Sequence, residues 1–230
     1  MAKTKGKNIL PIAFIKTDFK EKFGIPRQSG RVKSLKGEIV FESEYRNPDA
    51  LREIEGFSHL WLIFDFSAAP YDTFSPTVRP PRLGGNKKVG VFASRSPFRP
   101  NGLGLSLVKL EEIRQNEKGE NSLIVSGVDL LDNTPIYDIK PYVPMADSNE
   151  NAKGGYTEET KNHFLTVSFP ENLLNVLPED KRQGAIEILR EDPRPTYQED
   201  GRIYTKSYAG FDISFTVCGD NLSVTDIKIL

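Results

Sequence analysis

Short apolar runs alternate with polar breaks marked by Gly and Pro, and few of the runs carry the 3.6-residue period of a helix. Ile9, Leu10, Ile12, Phe14 and Ile15 predict a first strand over 9–15. FGIPRQSG (23–30) interrupts the chain with Gly24, Pro26 and Gly30 and marks a loop. Gly37–Phe41 predicts a second short strand. Asn47-Pro48-Asp49 predicts a helix start, with Asn47 as cap and Pro48 in the first position. His59–Phe66 (HLWLIFDF) is the most apolar run and predicts a strand buried on both faces. Asp65 inside it must be paired or lie near a mouth. Val89–Ala93, Leu103–Ile113, Leu123–Leu131 and Ile136–Ile139 follow as strands. Asp132-Asn133-Thr134-Pro135 is a tight turn that would join the last two as a hairpin. Many short strands separated by turn signals favour a closed or partly closed barrel over a doubly wound sheet.

The second part of the chain differs in character. Pro144 to Asn162 is polar and contains glycine, and residues 146–162 read as a linker between a domain at 1–145 and another at 163–230. Glu171–Leu177 and Asp180–Arg190 predict helices, the second stopped by Asp192-Pro193-Arg194-Pro195. Phe211–Cys218 and Leu222–Ile229 predict a hairpin through Gly219-Asp220-Asn221. The expected fold class is mainly β, or α+β: an N-terminal β-barrel-like domain followed by a small α+β C-terminal domain.

Composition changes this picture little. The chain has 230 residues, 37% hydrophobic and 27% charged, as in an ordinary soluble globular protein. A lone cysteine, Cys218, excludes an internal disulfide and a multi-cysteine metal site within one chain, and its strand setting predicts a small core hydrophobe. No signal peptide or membrane span is recognised, so a cytoplasmic protein is the default expectation.

Charge placement changes it more. Basic and acidic residues nearly cancel, 31 against 32. Yet Thr73 to Leu110 holds seven basic residues, Arg79, Arg82, Lys87, Lys88, Arg95, Arg99 and Lys109, and no Asp or Glu. A positive, Pro- and Gly-stiffened segment beside buried strands suits an anion-handling surface. The alternative is a solvated loop between strands.

Individual motifs are less specific. Gly102-Leu103-Gly104 lacks the third glycine and following helix of a dinucleotide fingerprint. His59 and His163 have no metal-ligand spacing, and His59 suits a structural hydrogen bond at a strand end. Asp129, Asp132 and Asp138 lie near apolar neighbours beside the cationic loop. They suit hydroxyl binding or proton transfer, or else turn formation and ion pairing, which fits Asp132 best. Arg194 and Tyr197 sit in a rigid turn that can contact phosphate and stack on a base, or simply end a helix.

FGIPRQ, GFSHLWLIF, VRPPRLGGN, GVFASRSPFRPNGLGLSLV, VDLLDNTPIYDIKPYVP and DPRPTY occur in this order. Together they resemble the tRNA methyltransferase family that N6-methylates threonylcarbamoyladenosine beside the anticodon, on its 3′ side. The resemblance implies an S-adenosylmethionine-binding β-barrel, a homodimer with the site near the subunit boundary, and a C-terminal domain that aids tRNA contact. It implies donor contacts from Pro26, Arg27, Gln28, Ser67, Ala68, Arg95, Leu105, Ser126, Gly127, Val128 and Asp129. Asp138 is the candidate base, with Asn101 beside the acceptor. Arg79, Arg82, Lys87, Lys88, Arg99, Arg194 and Tyr197 are the candidate tRNA contacts, with Arg99 and Asn101 holding either the loop or the threonyl carboxylate. No metal is implied. Two departures stand out: Ser67-Ala68 where relatives can carry His-Gln, and Asn101-Gly102-Leu103-Gly104 where relatives often carry Asn-Pro-Ile-Gly. Two rivals are a non-catalytic RNA-binding barrel, which would ignore the donor, and a small-molecule hydrolase or transferase, which would ignore RNA.

Overall fold

Six strands close into a barrel in the computed structural model, which describes residues 6, 8–69, 74–80, 87–160, 164–194 and 201–230. They are β1 (Ala13–Thr17), β2 (Lys36–Phe41), β3 (His59–Asp65), β6 (Leu103–Gln115), β7 (Asn121–Ser126) and β8 (Thr134–Pro141). Around the ring the order is β1-β2-β7-β6-β3-β8, and every neighbouring pair is antiparallel. The short strands β4 (Thr77–Val78) and β5 (Val89–Gly90) form a separate ribbon. Alternation explains the closure. Ile15, Ile39, Leu60, Leu62, Val108, Leu123 and Ile136 are all buried, so the strands turn one face inward and no edge remains.

Several expectations change here. β3 is not buried on both faces: Leu60, Leu62 and Phe64 enter the core, while Trp61 and Ile63 stay half-buried on the outer wall. Beyond Gly90 the predicted strand over 89–93 becomes a 3-10 turn, Val91–Ala93. Asn47 does cap, its side chain accepting from the Asp49 N–H at 3.0 Å, but only a 3-10 turn follows. The predicted hairpin between Leu123–Leu131 and Ile136–Ile139 does not form. β7 ends before Gly127, and in the ring it lies opposite β8, so residues 127–133 cross the barrel end. Asp132 is a structural residue there. It accepts from the Thr17 N–H at 2.9 Å and pairs with Lys20 at 2.5 Å.

The C-terminal domain packs α2 (Glu171–Leu174) and α3 (Glu179–Arg190) with a sheet of order β10-β11-β12-β9. These strands are β9 (Thr166–Ser168), β10 (Tyr204–Tyr208), β11 (Phe211–Cys218) and β12 (Asn221–Ile229), and β11–β12 is the expected hairpin. Cys218 is exposed rather than a core residue, because it ends β11 on the outward side of the alternation. The polar stretch from 144 carries a short helix, α1 (Pro144–Asp147), and a 3-10 turn over 155–160. Buried apolar residues of both domains join one continuous core. Among the described residues, no helix is long and apolar enough to cross a membrane.

Candidate functional site

Asp129 lies on the segment that crosses the barrel end. Gly127 turns that segment with φ +75°, and a Cβ there would meet the Cα of Gly30 at 3.2 Å. The two backbones are tied, with Gly30 N–H donating to the Gly127 carbonyl at 2.8 Å and Gly127 N–H to the Leu35 carbonyl at 2.9 Å. Val128 is buried beneath them. Asp129 then meets Ser106, whose hydroxyl donates to Oδ1 at 2.6 Å. Burial pushes the Asp129 carboxyl up to about 6, against hydrogen bonds from Ser106 and the backbone and the nearby charge of Arg95.

Arg95 is exposed, and its Nη1 donates to Gln28 Oε1 at 2.6 Å. The loop that presents it is held from within. Arg99 Nη1 donates to the carbonyls of Ser94 at 2.6 Å and Val91 at 3.3 Å. Of the two roles expected for Arg99, the structure supports holding the loop.

A cleft of about 170 Å³ opens beside Asp129, with Asp65, Ser67, Ala68, Lys22 and Thr134 among its walls. Asp65 is only 5% exposed. Its carboxylate within an apolar run was the one signal of a mouth at this place, and neither Asp65 nor Lys22 was among the expected site residues.

Gln28, Ser67, Ala68, Arg95 and Asp129 therefore gather at one end of the barrel. The other expected donor residues do not bring their side chains there. The Ser126 hydroxyl donates to Glu111 at 2.5 Å and Val128 is in the core, so 126–128 offers backbone. Leu105 pairs with Ile63 on the outer wall. Pro26 and Arg27 line a second cavity of about 300 Å³, bounded across the domain junction by Ile188, Asp192 and Arg194.

Asp138 is also on the outer wall. A bulge leaves Ile63 opposite Asp138 and Phe64 opposite Ile136, so Asp138 shares the outward side of Ile63. Its Oδ2 pairs with Lys140 at 2.9 Å. Asn101 is exposed, and Gly102 follows at φ +60°. A proline, held near −65°, cannot take that conformation, so this turn is built differently from a Pro-containing one. Arg194 is not offered to phosphate as expected. It is 6% exposed and forks onto Asp192, Nε at 2.8 Å and Nη2 at 2.9 Å. Arg79, Lys87 and Lys88 are exposed, whereas Arg82 and Tyr197 lie outside the described residues. Among the described residues no group of three or more His, Cys, Asp or Glu could hold a metal ion.

The donor set fits S-adenosylmethionine. Asp129 is an acceptor suited to ribose hydroxyls, and Arg95 is a fork suited to a carboxylate.

Comparison with known proteins agrees. The family description tRNA-methyltransferase O N-terminal domain matches residues 14–148, and TrmO C-terminal domain matches residues 163–229. A tRNA (adenine(37)-N6)-methyltransferase of Escherichia coli (strain K12) is 41% identical over 215 residues, covering 90% of this chain and 91% of that protein. A Pseudomonas aeruginosa protein described as a putative S-adenosylmethionine-dependent methyltransferase is 41% identical over 206 residues, covering 86% of this chain and 87% of its own. A crystal structure of TrmO from P. aeruginosa superimposes with a TM-score of 0.82 at 30% identity, covering 100% of both chains. With the barrel, its mouth and both parts of the sequence in agreement, the chain belongs to the tRNA-methyltransferase O family of tRNA-modifying enzymes.

Proposed function

We propose that this protein methylates N6 of adenosine 37 in tRNA at the expense of S-adenosylmethionine, and that its acceptor is the threonylcarbamoylated nucleoside of the anticodon loop. The observation that carries the reading is the grouping of Asp129, Ser106, Arg95 and Gln28 at the barrel mouth, in a chain of this family. S-adenosylmethionine supplies an electrophilic methyl group on its sulfonium. Asp129 accepts the ribose hydroxyls, and Arg95, oriented by Gln28, binds the donor carboxylate. The acceptor nitrogen is conjugated with both the ring and a carbonyl, so it is a weak nucleophile, and alignment carries much of the catalysis. Among the described residues, the carboxylate that shares the cleft with Asp129 is Asp65. A tRNA substrate suits the cytoplasmic setting expected from the sequence.

Nucleoside mass spectrometry tests this directly. Purified protein and S-adenosylmethionine are incubated with tRNA that carries threonylcarbamoyladenosine and with the same tRNA lacking it. One methyl gained on the modified nucleoside alone is the expected result, and methylation of both tRNAs would refute the acceptor. No methyl transfer and no donor binding, with tRNA binding retained, would favour the RNA-binding barrel instead. Arg95→Ala is expected to lower the rate at limiting donor by about a hundredfold, the worth of a charge-assisted fork. In the same assay the rate at limiting tRNA should fall steeply with salt, and replacing Lys87 and Lys88 by Ala should flatten the log–log slope by about two.

Asp138 can act only if a second copy packs on the outer wall, where Leu105 is 49% exposed beside Ile63. An apolar patch there suits a homodimer. Sedimentation of the wild type should give a dimer at micromolar protein and Leu105→Asp a monomer. An active wild-type monomer would remove Asp138 from the mechanism.

A further inference from the structure

The segment between β1 and β2 carries Gln28 and Ser29 into the site, and it is gripped from two sides. One side belongs to the barrel. Gln28 accepts from Arg95, Ser29 Oγ accepts from the Leu107 N–H at 3.1 Å, and Gly30 N–H donates to Gly127.

The other side belongs to the C-terminal domain. Arg31 Nε meets Glu191 Oε2 at 2.5 Å in a pair only 20% and 11% exposed. Glu187 of α3 accepts from both the N–H of Ser34, at 3.2 Å, and its hydroxyl, at 2.9 Å. Lys206 of β10 is 1% exposed. Its ammonium donates to the Phe23 carbonyl and stands 5.3 Å from the centre of the Phe19 ring. Its stem lies on Gly24, where a Cβ would meet Lys206 Cδ at 2.4 Å. Burial lowers the Lys206 pKa to about 8, a cost that a surface lysine would not bear. Two of these groups are carboxylates, which repel phosphate, and they face the barrel loop. Neither they nor Lys206 lines the cleft beside Asp129.

We infer that the C-terminal domain is a clamp on the donor loop, with Lys206, Glu187 and Glu191 as positioning residues that hold 23–34 in the form presenting Gln28 and Ser29 to the donor. The inference rests on the donor site proposed above. Removing one partner of a buried pair strands the other charge and frees the loop, and the loss should appear in donor affinity.

The test uses the full chain. S-adenosylmethionine binding is measured by calorimetry, and KM is measured for donor and tRNA, in Arg31→Glu, Glu191→Arg, the double swap and Lys206→Met. Each single change is expected to raise the donor Kd about tenfold with the tRNA KM within about twofold, and the double swap to restore most of the loss. Lys206→Met keeps the stem on Gly24, so it carries the test where a reversed charge unfolds the chain. A raised tRNA KM with unchanged donor Kd in folded variants would overturn the clamp. Absence of donor binding in the wild type would instead overturn the donor site itself.

Discussion

Asp129→Asn is expected to make the free protein more stable and a much poorer binder of S-adenosylmethionine. Burial pushes this carboxyl from 3.8 up to about 6. Between those values the folded chain holds the proton more tightly than the unfolded chain does. Stability therefore falls as pH rises through the window, and above it the ionised group is a standing loss of about 3 kcal/mol at most. Asn cannot ionise, and it keeps an oxygen for the Ser106 hydroxyl. Thermal unfolding should show the variant melting above the wild type at pH 8, with the two converging near pH 4. Donor affinity should move the opposite way. Losing a charged acceptor for two hydroxyls raises Kd by about a hundredfold, and wild-type affinity should drop as pH falls below about 6. A variant that melts lower at pH 8 would make Asp129 a structural anchor for Ser106 and not a binding group held ready at a cost.

The second large effect is on the barrel wall. Gly104→Ala is expected to destabilise the protein by about 3 kcal/mol, lowering Tm by roughly 6–12 °C. Gly104 sits opposite Phe64, and a Cβ at 104 would stand 2.2 Å from the nearest ring atom. The ring has little room to withdraw, because it is 5% exposed and packed edge-on against Phe66 at 5.1 Å. Phe64 also walls the cleft beside Asp129, so the displaced ring should weaken donor binding as well. Phe64→Leu in the Gly104→Ala background makes room for the methyl group. The pair should couple by about 1 kcal/mol or more in a double-mutant cycle. Additive losses would show that the clash is relieved elsewhere.

Much of this was legible in the chain. Short apolar runs bounded by turn signals located β2, β3, β6, β11 and β12 closely, and the hydrophobic spacing of 180–190 located α3. The basic loop and its motifs pointed to the family, and Asp65 in an apolar run pointed to a paired carboxylate or a mouth. The pairs Gln28–Arg95 and Ser106–Asp129 were not legible, because their members stand far apart in sequence and meet only when the ring closes. Short polar strands such as β10, YTKSY, escaped because their alternation is set by burial and not by residue type.

Asp129 and Asp138 show where the boundary lies. They are alike in the sequence, two carboxylates in one apolar neighbourhood. Crossing the barrel end turns the first toward Ser106, and one extra residue in the bulge at Tyr137 leaves the second on the outer wall. Arg194 likewise reads as a free cation until folding buries it against Asp192. The sequence by itself determined most of the longer strands, the cationic loop and the family, since apolar runs and motifs are properties of neighbouring residues. Only the tertiary structure decided which acid faces the cleft and which charges are already taken, because those depend on ring order and strand register, which arise from contacts between distant segments.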